Sequence, residues 1–177
     1  KEARSFRGSI MKVFGLAGWS GSGKTTLIVK LIPEFVNRGL TVSTLKHAHH
    51  DFDIDKPGKD SFEHRRAGAS EVMISASNRW ALMHENKDNM EPDLEKLLAR
   101  MSPVDLLLVE GFKWHPHPKM EVYRPIVGKP LLQKNDSGIV AIATDEKLMN
   151  ITVPSFNLSD ISLIADFILN KLKIRMI

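Results

Sequence analysis

The sequence predicts an α/β fold in three layers, with a mainly parallel central sheet and an antiparallel hairpin at its edge. Patterns typical of strands and helices alternate along the chain, as they do in proteins built around a parallel sheet. Residues 104–109 form an apolar run interrupted by one Asp, which is typical of a buried central strand. Residues 71–76 and 79–84 form two strand-like runs around Ser77-Asn78, a spacing that predicts a hairpin.

The other elements follow from hydrophobic periodicity and from residues that begin or end helices. An apolar run at 12–17 predicts the first strand, and Gly39 is a suitable C-terminal cap for a helix at 25–38. Ser159 is the expected N-cap of a last helix at 160–173, whose apolar residues form one stripe. The remaining predicted elements are a helix from 60 up to Gly68, a helix at 93–101, and strands at 41–47, 120–126, 139–143 and 151–153.

The composition indicates one globular domain. Of the 177 residues, 42% are hydrophobic, which is enough for a substantial core. Residues 1–10 show no periodicity and precede Met11, so we expect a leader or tag there and a single domain over 11–177. The chain has no Cys, which excludes disulfides and thiolate metal sites and fits a cytoplasmic protein. We expect neither a membrane span nor nucleic acid binding, because the chain lacks long apolar runs and Lys/Arg blocks.

The most specific motif is Gly18-Trp19-Ser20-Gly21-Ser22-Gly23-Lys24-Thr25, which fits the P-loop pattern G-x-x-x-x-G-K-[ST]. It lies between the first predicted strand and the first predicted helix, where the glycines let backbone N–H groups approach phosphate oxygens. Lys24 is expected to reach the β- and γ-phosphates, and the Thr25 hydroxyl to bind Mg²⁺. The chain is therefore predicted to be a P-loop NTPase. Its predicted nucleotide-binding residues in this segment are Gly18, Ser20, Gly21, Ser22, Gly23, Lys24 and Thr25.

Glu110 is the second candidate, because it follows the buried strand at 104–109. Ligands bind at the carboxyl ends of strands in open α/β sheets, and P-loop proteins use a strand-end acid to hold Mg²⁺ or to position water. We assign Glu110 both a catalytic and a metal-binding role, and we expect Gly111 to let a main-chain N–H approach the γ-phosphate. The alternative is an ordinary charged residue that faces solvent at the end of a strand.

The segment 46–61 is dense in ionisable side chains, and several roles are open for it. Imidazoles suit a transition metal, carboxylates bind Mg²⁺ or orient an attacking water, and lysines hold phosphate, while a solvated polar loop is an equally simple interpretation. We select Asp53 as a catalytic candidate, Asp60 as a Mg²⁺ ligand and Lys46 as a nucleotide ligand. The other candidates are His47, His49, His50, Asp55, Lys56 and Lys59.

Recognition of the base is the least specific part of the pattern. Guanine is often recognised by an Asp carboxylate, but the usual N-K-x-D motif is absent. Asp145 follows the strand predicted at 139–143, which is a suitable place at the carboxyl end of the sheet, and we select it over Asp136. An Asp in an ordinary turn is the alternative.

Further segments accompany the P-loop, at residues 46–51, 55–61, 66–69, 79–83 and 109–113. Together they resemble the MobB family of molybdopterin-guanine dinucleotide biosynthesis adapter proteins. The resemblance implies a homodimeric cytoplasmic protein of P-loop α/β fold that binds GTP and has weak GTPase activity. It also implies a helper role beside the guanylyltransferase MobA, which joins GMP to molybdopterin. The family's P-loop carries over to residues 21–26, which adds Thr26 to the nucleotide ligands, and its strand-end acid carries over to Glu110.

The leading hypothesis is thus a GTP-binding adapter in molybdenum cofactor biosynthesis, with GTP and Mg²⁺ as ligands, MobA as partner and molybdopterin as a candidate ligand. No arginine finger is identifiable, so slow hydrolysis is expected. One alternative is a small-metabolite P-loop kinase, although residues 113–124 contain a single Arg where such kinases carry several. Another is a metallochaperone GTPase, suggested by the His-rich loop and weakened by the absence of Cys.

Overall fold

The computed structural model describes residues 11–48, 52–86 and 92–175. Backbone contacts divide the chain into two compact units. The first comprises the described residues up to His47 together with those from Ser102 onward, and the second runs from Ala48 to Met101. A single functional domain over residues 11–177 stays a prediction beside this division.

Strands and helices alternate along the chain, as expected from the sequence. No helix among the described residues is both long enough and apolar enough to cross a membrane. In chain order the elements are β1 (Lys12–Ala17), α1 (Lys24–Asn37), β2 (Val42–Lys46), α2 (Asp60–Arg66), β3 (Glu71–Ala76), β4 (Arg79–His84), α3 (Leu94–Leu98), β5 (Leu106–Glu110), β6 (Lys119–Tyr123), a 3₁₀ helix (Pro125–Val127), β7 (Ile139–Thr144), β8 (Ser155–Asn157) and α4 (Ile161–Leu172).

The first unit contains a six-stranded sheet in the order β2-β5-β1-β6-β7-β8, and every neighbouring pair is parallel. In this register Leu16 of β1 lies beside Glu110 of β5. Because the carboxyl ends of parallel strands meet at one edge of a sheet, the loop that follows β1 and the acid that ends β5 share that edge. The mainly parallel α/β class predicted from the sequence is confirmed.

One face of this sheet is covered by α1 and α4, which also pack against each other. Leu27, Leu31 and Phe35 of α1 are buried at intervals of about one helical turn, the pattern of an amphipathic helix. The core therefore anchors both β1 and α1, the two elements that flank the P-loop. Its buried side chains from the strands and from α4 are Phe14, Leu16, Leu106, Leu108, Met120, Val122, Ala141, Ala143, Ile164, Ala165, Ile168 and Leu169.

A fully buried lysine, Lys119, lies at the start of β6. Its ammonium donates hydrogen bonds to the carbonyls of Lys113 (2.9 Å) and His115 (2.7 Å) and to the carboxylate of Asp136 (2.9 Å). Burial of a charge is costly unless it is paired and hydrogen-bonded, and these three acceptors meet that need. Lys119 therefore fastens the segment after β5 and the segment before β7 to the sheet.

A buried carboxylate, Glu121, lies two residues further along β6. It accepts the backbone N–H groups of Leu132 (2.8 Å) and Gln133 (2.9 Å). Burial raises the pKa of Glu121, while the two backbone hydrogen bonds act in the opposite direction. Glu121 thus holds the chain between the 3₁₀ helix and β7 against the sheet.

The second unit contains the predicted hairpin, which is confirmed as an antiparallel pair. Ala76 of β3 lies opposite Arg79 of β4, which leaves Ser77-Asn78 as the turn. Among the described strands β3 and β4 pair only with each other. Their predicted place at the edge of the main sheet is therefore wrong, because neither contributes a ladder of hydrogen bonds to it.

Two details of the last segment also differ from prediction. β8 begins after the strand predicted at 151–153, because a backbone N–H of β7 bonds to the Pro154 carbonyl and the pairing starts there. The N-cap of α4 is Asp160, not Ser159. The Ser159 hydroxyl is instead hydrogen-bonded to the Asn157 side chain, at 2.6 Å.

Candidate functional site

The P-loop joins β1 to α1 in a conformation that requires glycine. Gly18 and Gly23 have φ values of 147° and 97°, which L side chains rarely adopt. A Cβ atom on Gly18 would lie 2.5 Å from the Val122 carbonyl oxygen and 2.7 Å from the Ser22 hydroxyl. The loop can therefore lie directly against the backbone of β6 only because Gly18 has no side chain.

The N-terminus of α1 opens onto this loop without a side-chain cap. Gly23 is the N-cap residue, no side chain bonds to the first backbone N–H groups, and the first turn contains no acidic residue in this described helix. The first N–H groups of a helix have no intrahelical acceptor and carry partial positive charge. This end of α1 is therefore suited to an anionic ligand such as phosphate.

Lys24 is the first residue of α1, and its ammonium donates a hydrogen bond to the Trp19 carbonyl at 2.9 Å. Burial lowers the pKa of Lys24, the Glu110 carboxylate raises it, and the ammonium groups of Lys113 and Lys46 lower it further. Several positive charges and one negative charge are thus close enough to interact with Lys24.

Thr25 and Glu110, selected separately from the sequence, are brought together. The Thr25 hydroxyl donates a hydrogen bond to Glu110 Oε1 at 2.9 Å, across a separation of 85 residues. Glu110 is only 9% exposed, and the Lys46 ammonium lies 3.8 Å from the same carboxylate oxygen. Two oxygen donors side by side, next to a phosphate-binding loop, suit the hard Mg²⁺ ion.

The chain turns sharply after Glu110. Gly111 and Phe112 have φ values of 98° and 47°, and a left-handed conformation is uncommon for a residue such as Phe. A Cβ on Gly111 would lie 2.8 Å from the Cβ of His47, and the rings of Phe112 and His47 are 4.7 Å apart. The Gly111 N–H donates to the Leu16 carbonyl at 3.2 Å. The sheet therefore uses this donor, and the expectation that Gly111 lets a main-chain N–H approach the γ-phosphate stays a prediction.

Trp19, at a variable position of the P-loop motif, has contacts that the sequence did not predict. Its indole N–H donates to the Pro130 carbonyl at 2.8 Å. The ammonium groups of Lys113 and Lys129 lie 4.6 Å and 5.9 Å from the centre of its ring. Two features of the sequence could have suggested these contacts: an aromatic residue in a loop of small residues, and a lysine three positions after Glu110.

Comparison with known proteins identifies the family. The family model described as "Molybdopterin guanine dinucleotide synthesis protein B", MobB, matches residues 13–145. The chain belongs to the MobB family. It is 43% identical over 163 residues to the molybdopterin-guanine dinucleotide biosynthesis adapter protein of Escherichia coli (strain K12), covering 90% of this chain and 93% of the relative. The corresponding protein of Haemophilus influenzae is 41% identical over 165 residues, with 93% and 92% covered.

Solved structures of MobB proteins share the fold of this family member. A crystal structure of molybdopterin-guanine biosynthesis protein B aligns with a TM-score of 0.73 at 28% identity, covering 91% of this chain and 99% of the other. The structure of Bacillus subtilis MobB aligns with a TM-score of 0.70 at 26% identity, covering 93% and 100%. The resemblance inferred from the sequence motifs is confirmed.

In this MobB-family chain the acidic candidates of the second unit have partners of their own. Arg65 donates to Asp53 (2.7 Å) and to Asp55 (2.9 Å), and the Asp55 side chain is only 2% exposed. Asp60 is the first residue of α2, and its negative charge stabilises the positive N-terminal end of this helix. The ion pair of Asp53 and the position of Asp60 in α2 are structural roles for the two residues, and their catalytic and metal-binding roles stay predictions.

The proposed metal site in the His-rich loop is only partly covered, because His49 and His50 lie outside the described residues. Among the residues described, no group of three or more His, Asp or Glu side chains is placed to hold a metal ion. Asp145, the candidate for base recognition, follows β7 and accepts a hydrogen bond from Arg124 Nε at 2.7 Å. Its role stays a prediction, as do those of the exposed Ser20 and Thr26.

Proposed function

We propose that this protein is a GTP-binding adapter in molybdopterin guanine dinucleotide biosynthesis, with weak GTPase activity, and that it assists a MobA-type guanylyltransferase. Membership of the MobB family supports the pathway, because its relatives carry the name of adapter proteins of that biosynthesis. The observation that carries the nucleotide part is the Thr25–Glu110 contact of 2.9 Å beside the P-loop. It joins the two groups that a P-loop NTPase needs at the γ-phosphate end.

The residues present fit a triphosphate. Backbone N–H groups of the P-loop and of the first turn of α1 meet the phosphate oxygens, and Lys24 exchanges its carbonyl acceptor on Trp19 for the β- and γ-phosphates. Thr25 Oγ1 and Glu110 Oε1 would hold Mg²⁺ or its bound waters. When bound, this ion neutralises charge on the phosphates.

The chemistry of the weak GTPase is direct hydrolysis. A water oxygen forms a bond to the γ-phosphorus while the bond between that phosphorus and the β,γ-bridging oxygen breaks, which yields GDP and inorganic phosphate, and the proton lost by the water passes to solvent. Glu110 orients the ion and its waters, and Lys24 stabilises the charge that develops on the bridging oxygen. Slow turnover is expected because the first unit offers no arginine finger at the P-loop among its described residues.

A homodimer needs a surface that binds a second copy of the chain, and the hairpin is the candidate for it. Met73, Trp80 and Leu82 are between 39% and 63% exposed, and the pairing of Met73 with Leu82 and of Ser75 with Trp80 places them on one face of this two-stranded sheet. Contiguous exposed apolar side chains mark interaction sites more often than ordinary surface. We infer that the hairpin forms the homodimer contact, and that the dimer acts in the cytoplasm, where GTP is available.

Nucleotide binding is the first test. Equilibrium binding of GTP and ATP is measured with Mg²⁺ for the wild type, for Lys24→Ala and for Lys30→Ala, an exposed lysine on the same helix. We expect GTP preference in the wild type, binding about 100-fold weaker in Lys24→Ala and unchanged binding in Lys30→Ala. Phosphate release without an added acceptor is followed in parallel. Failure of the wild type to bind GTP, or phosphate transfer that requires a small acceptor, overturns the proposal.

A further inference from the structure

Two lysine ammonium groups converge on one residue of the P-loop. Lys24 donates to the backbone carbonyl of Trp19 at 2.9 Å, and the Lys113 ammonium lies 4.6 Å from the centre of its indole ring. Lys24 comes from α1 inside the P-loop motif, whereas Lys113 comes from the segment after β5. The two positive charges also interact, because Lys113 is one of the groups that lower the pKa of Lys24.

The backbone around Lys113 is held in an unusual conformation. Directly before it, Gly111 and Phe112 both have positive φ, which is strained for Phe112, and strained backbone clusters at functional sites. At Lys113 itself the carbonyl accepts a hydrogen bond from the fully buried Lys119 ammonium at 2.9 Å. The structure therefore fixes the main chain of Lys113 from both sides and directs its side chain over the P-loop.

The Lys113 ammonium is not used for another ionic contact in the described residues. It forms a cation–π contact with Trp19 but no ion pair within the described ranges. A cation–π contact is weaker than a charge-assisted hydrogen bond to phosphate oxygens. The ammonium can therefore exchange the indole for a nearby phosphate at a net gain.

Lys129 provides an internal comparison. Its ammonium faces the same indole at 5.9 Å, but it comes from the segment after the 3₁₀ helix. Lys113 is only three residues from Glu110, whose carboxylate contacts Thr25 at the end of the site where the γ-phosphate belongs. Of the two lysines on Trp19, the position of Lys113 is the one that suits a triphosphate.

We propose that Lys113 is a second triphosphate-binding cation, which contacts the γ-phosphate of the bound nucleotide together with Lys24. This inference rests on the proposed nucleotide-binding function and adds a residue that discriminates triphosphate from diphosphate. A single extra positive charge at the terminal phosphate strengthens binding of GTP but leaves binding of GDP nearly unchanged.

The test measures the affinities of GTP and GDP by calorimetry, with Mg²⁺, for the wild type and for Lys113→Gln, Lys113→Arg and Lys129→Gln. We expect Lys113→Gln to weaken GTP binding about tenfold and GDP binding less than about twofold. Lys113→Arg keeps the positive charge and should restore the preference for GTP. Lys129→Gln, the matched control on the same indole, should behave as the wild type. Far-ultraviolet circular dichroism verifies that each variant is folded.

The outcomes separate this inference from the function on which it rests. A wild type that binds GTP while Lys113→Gln retains the full GTP-to-GDP preference overturns the role of Lys113 and leaves the nucleotide function intact. An equal loss for GTP and GDP, or an equal effect in Lys129→Gln, also overturns it, because the lysine would then act only through the shape of the loop. A wild type that binds neither nucleotide overturns both proposals.

Discussion

The P-loop end of the first unit and the hairpin of the second unit differ in which side chains they expose: the first exposes ionisable groups, and the second exposes apolar ones. In the first unit the apolar residues are buried under α1 and α4, and ionisable groups gather at the carboxyl end of the sheet around Thr25 and Glu110. In the hairpin Met73 and Trp80 are 62% and 63% exposed. The first region is suited to bind a small charged ligand, and the second is suited to bind another protein.

The two regions also differ in what stabilises them. The parallel sheet has a hydrophobic core on one face and, in β6, the buried charges of Lys119 and Glu121. A two-stranded hairpin on its own is marginally stable in water and gains most from packing against something else. The two regions should therefore respond differently to substitution and to pH, and three predictions test that difference.

The largest effect is expected from Lys119→Met. The substitution keeps most of the side-chain volume but leaves the half-buried Asp136 carboxylate and two backbone carbonyls without their shared donor. Breaking a buried ion pair costs about 3–5 kcal/mol, so urea denaturation should show that much loss in the free energy of unfolding. Lys134→Met, an exposed neighbour, should lose less than about 0.5 kcal/mol. Equal stabilities of the two variants would contradict the structural role of Lys119.

An intermediate effect is expected from Trp80→Glu on β4. A charge in the centre of an apolar contact should weaken the proposed homodimer by about 2 kcal/mol or more, or about 30-fold in dissociation constant. Affinity for GTP should stay unchanged. Trp114→Glu is the matched control, because Trp114 is 72% exposed but belongs to the first unit. Analytical ultracentrifugation measures the dimerisation of both variants. A dimer that is lost in Trp114→Glu but kept in Trp80→Glu would place the dimer contact in the first unit.

The smallest effect is the dependence of stability on pH. The carboxylate considered in each region should change the stability in opposite directions as the pH rises. Hydrogen bonds from His84 and Arg100 lower the pKa of Glu71 on the hairpin below its usual value of 4.5. This carboxylate contributes stability above pH 4.5 that is lost as the pH falls through the lowered pKa. Burial raises the pKa of Glu121 above the same value, so its contribution is fully present below pH 4.5 and is lost as the pH rises through the raised pKa.

Urea unfolding between about pH 3 and pH 7 checks this difference. Relative to the wild type, Glu71→Gln should reduce the loss of stability in acid, and Glu121→Gln should reduce the loss of stability as the pH rises above 4.5. Changes of the same sign in the two variants would show that one of the carboxylates does not titrate in the environment described for it.

Much of the fold could be predicted because it depends on short stretches of sequence. β1 and both hairpin strands lie at their predicted positions, since alternating or continuous apolar runs with a defined turn are local signals. The displaced β8 and the N-cap of α4 were missed because they depend on hydrogen bonds made by Pro154 and Asn157, which periodicity does not reveal. The hairpin itself was predicted, but its separation from the main sheet was missed, because the pairing of distant strands is not a local signal.

The sequence by itself determined the P-loop, the alternation of elements and the family, because a motif of adjacent residues has the same local geometry wherever the chain places it. Only the tertiary structure decided which distant groups meet: Glu110 beside Thr25, Lys113 over Trp19, and Lys119 with Asp136. The first two contacts require β5 beside β1, because their residues follow these two strands, and the third requires β6 beside β7, because its residues lie where these strands begin. Strand order follows from the packing of the whole core, so no single segment encodes it.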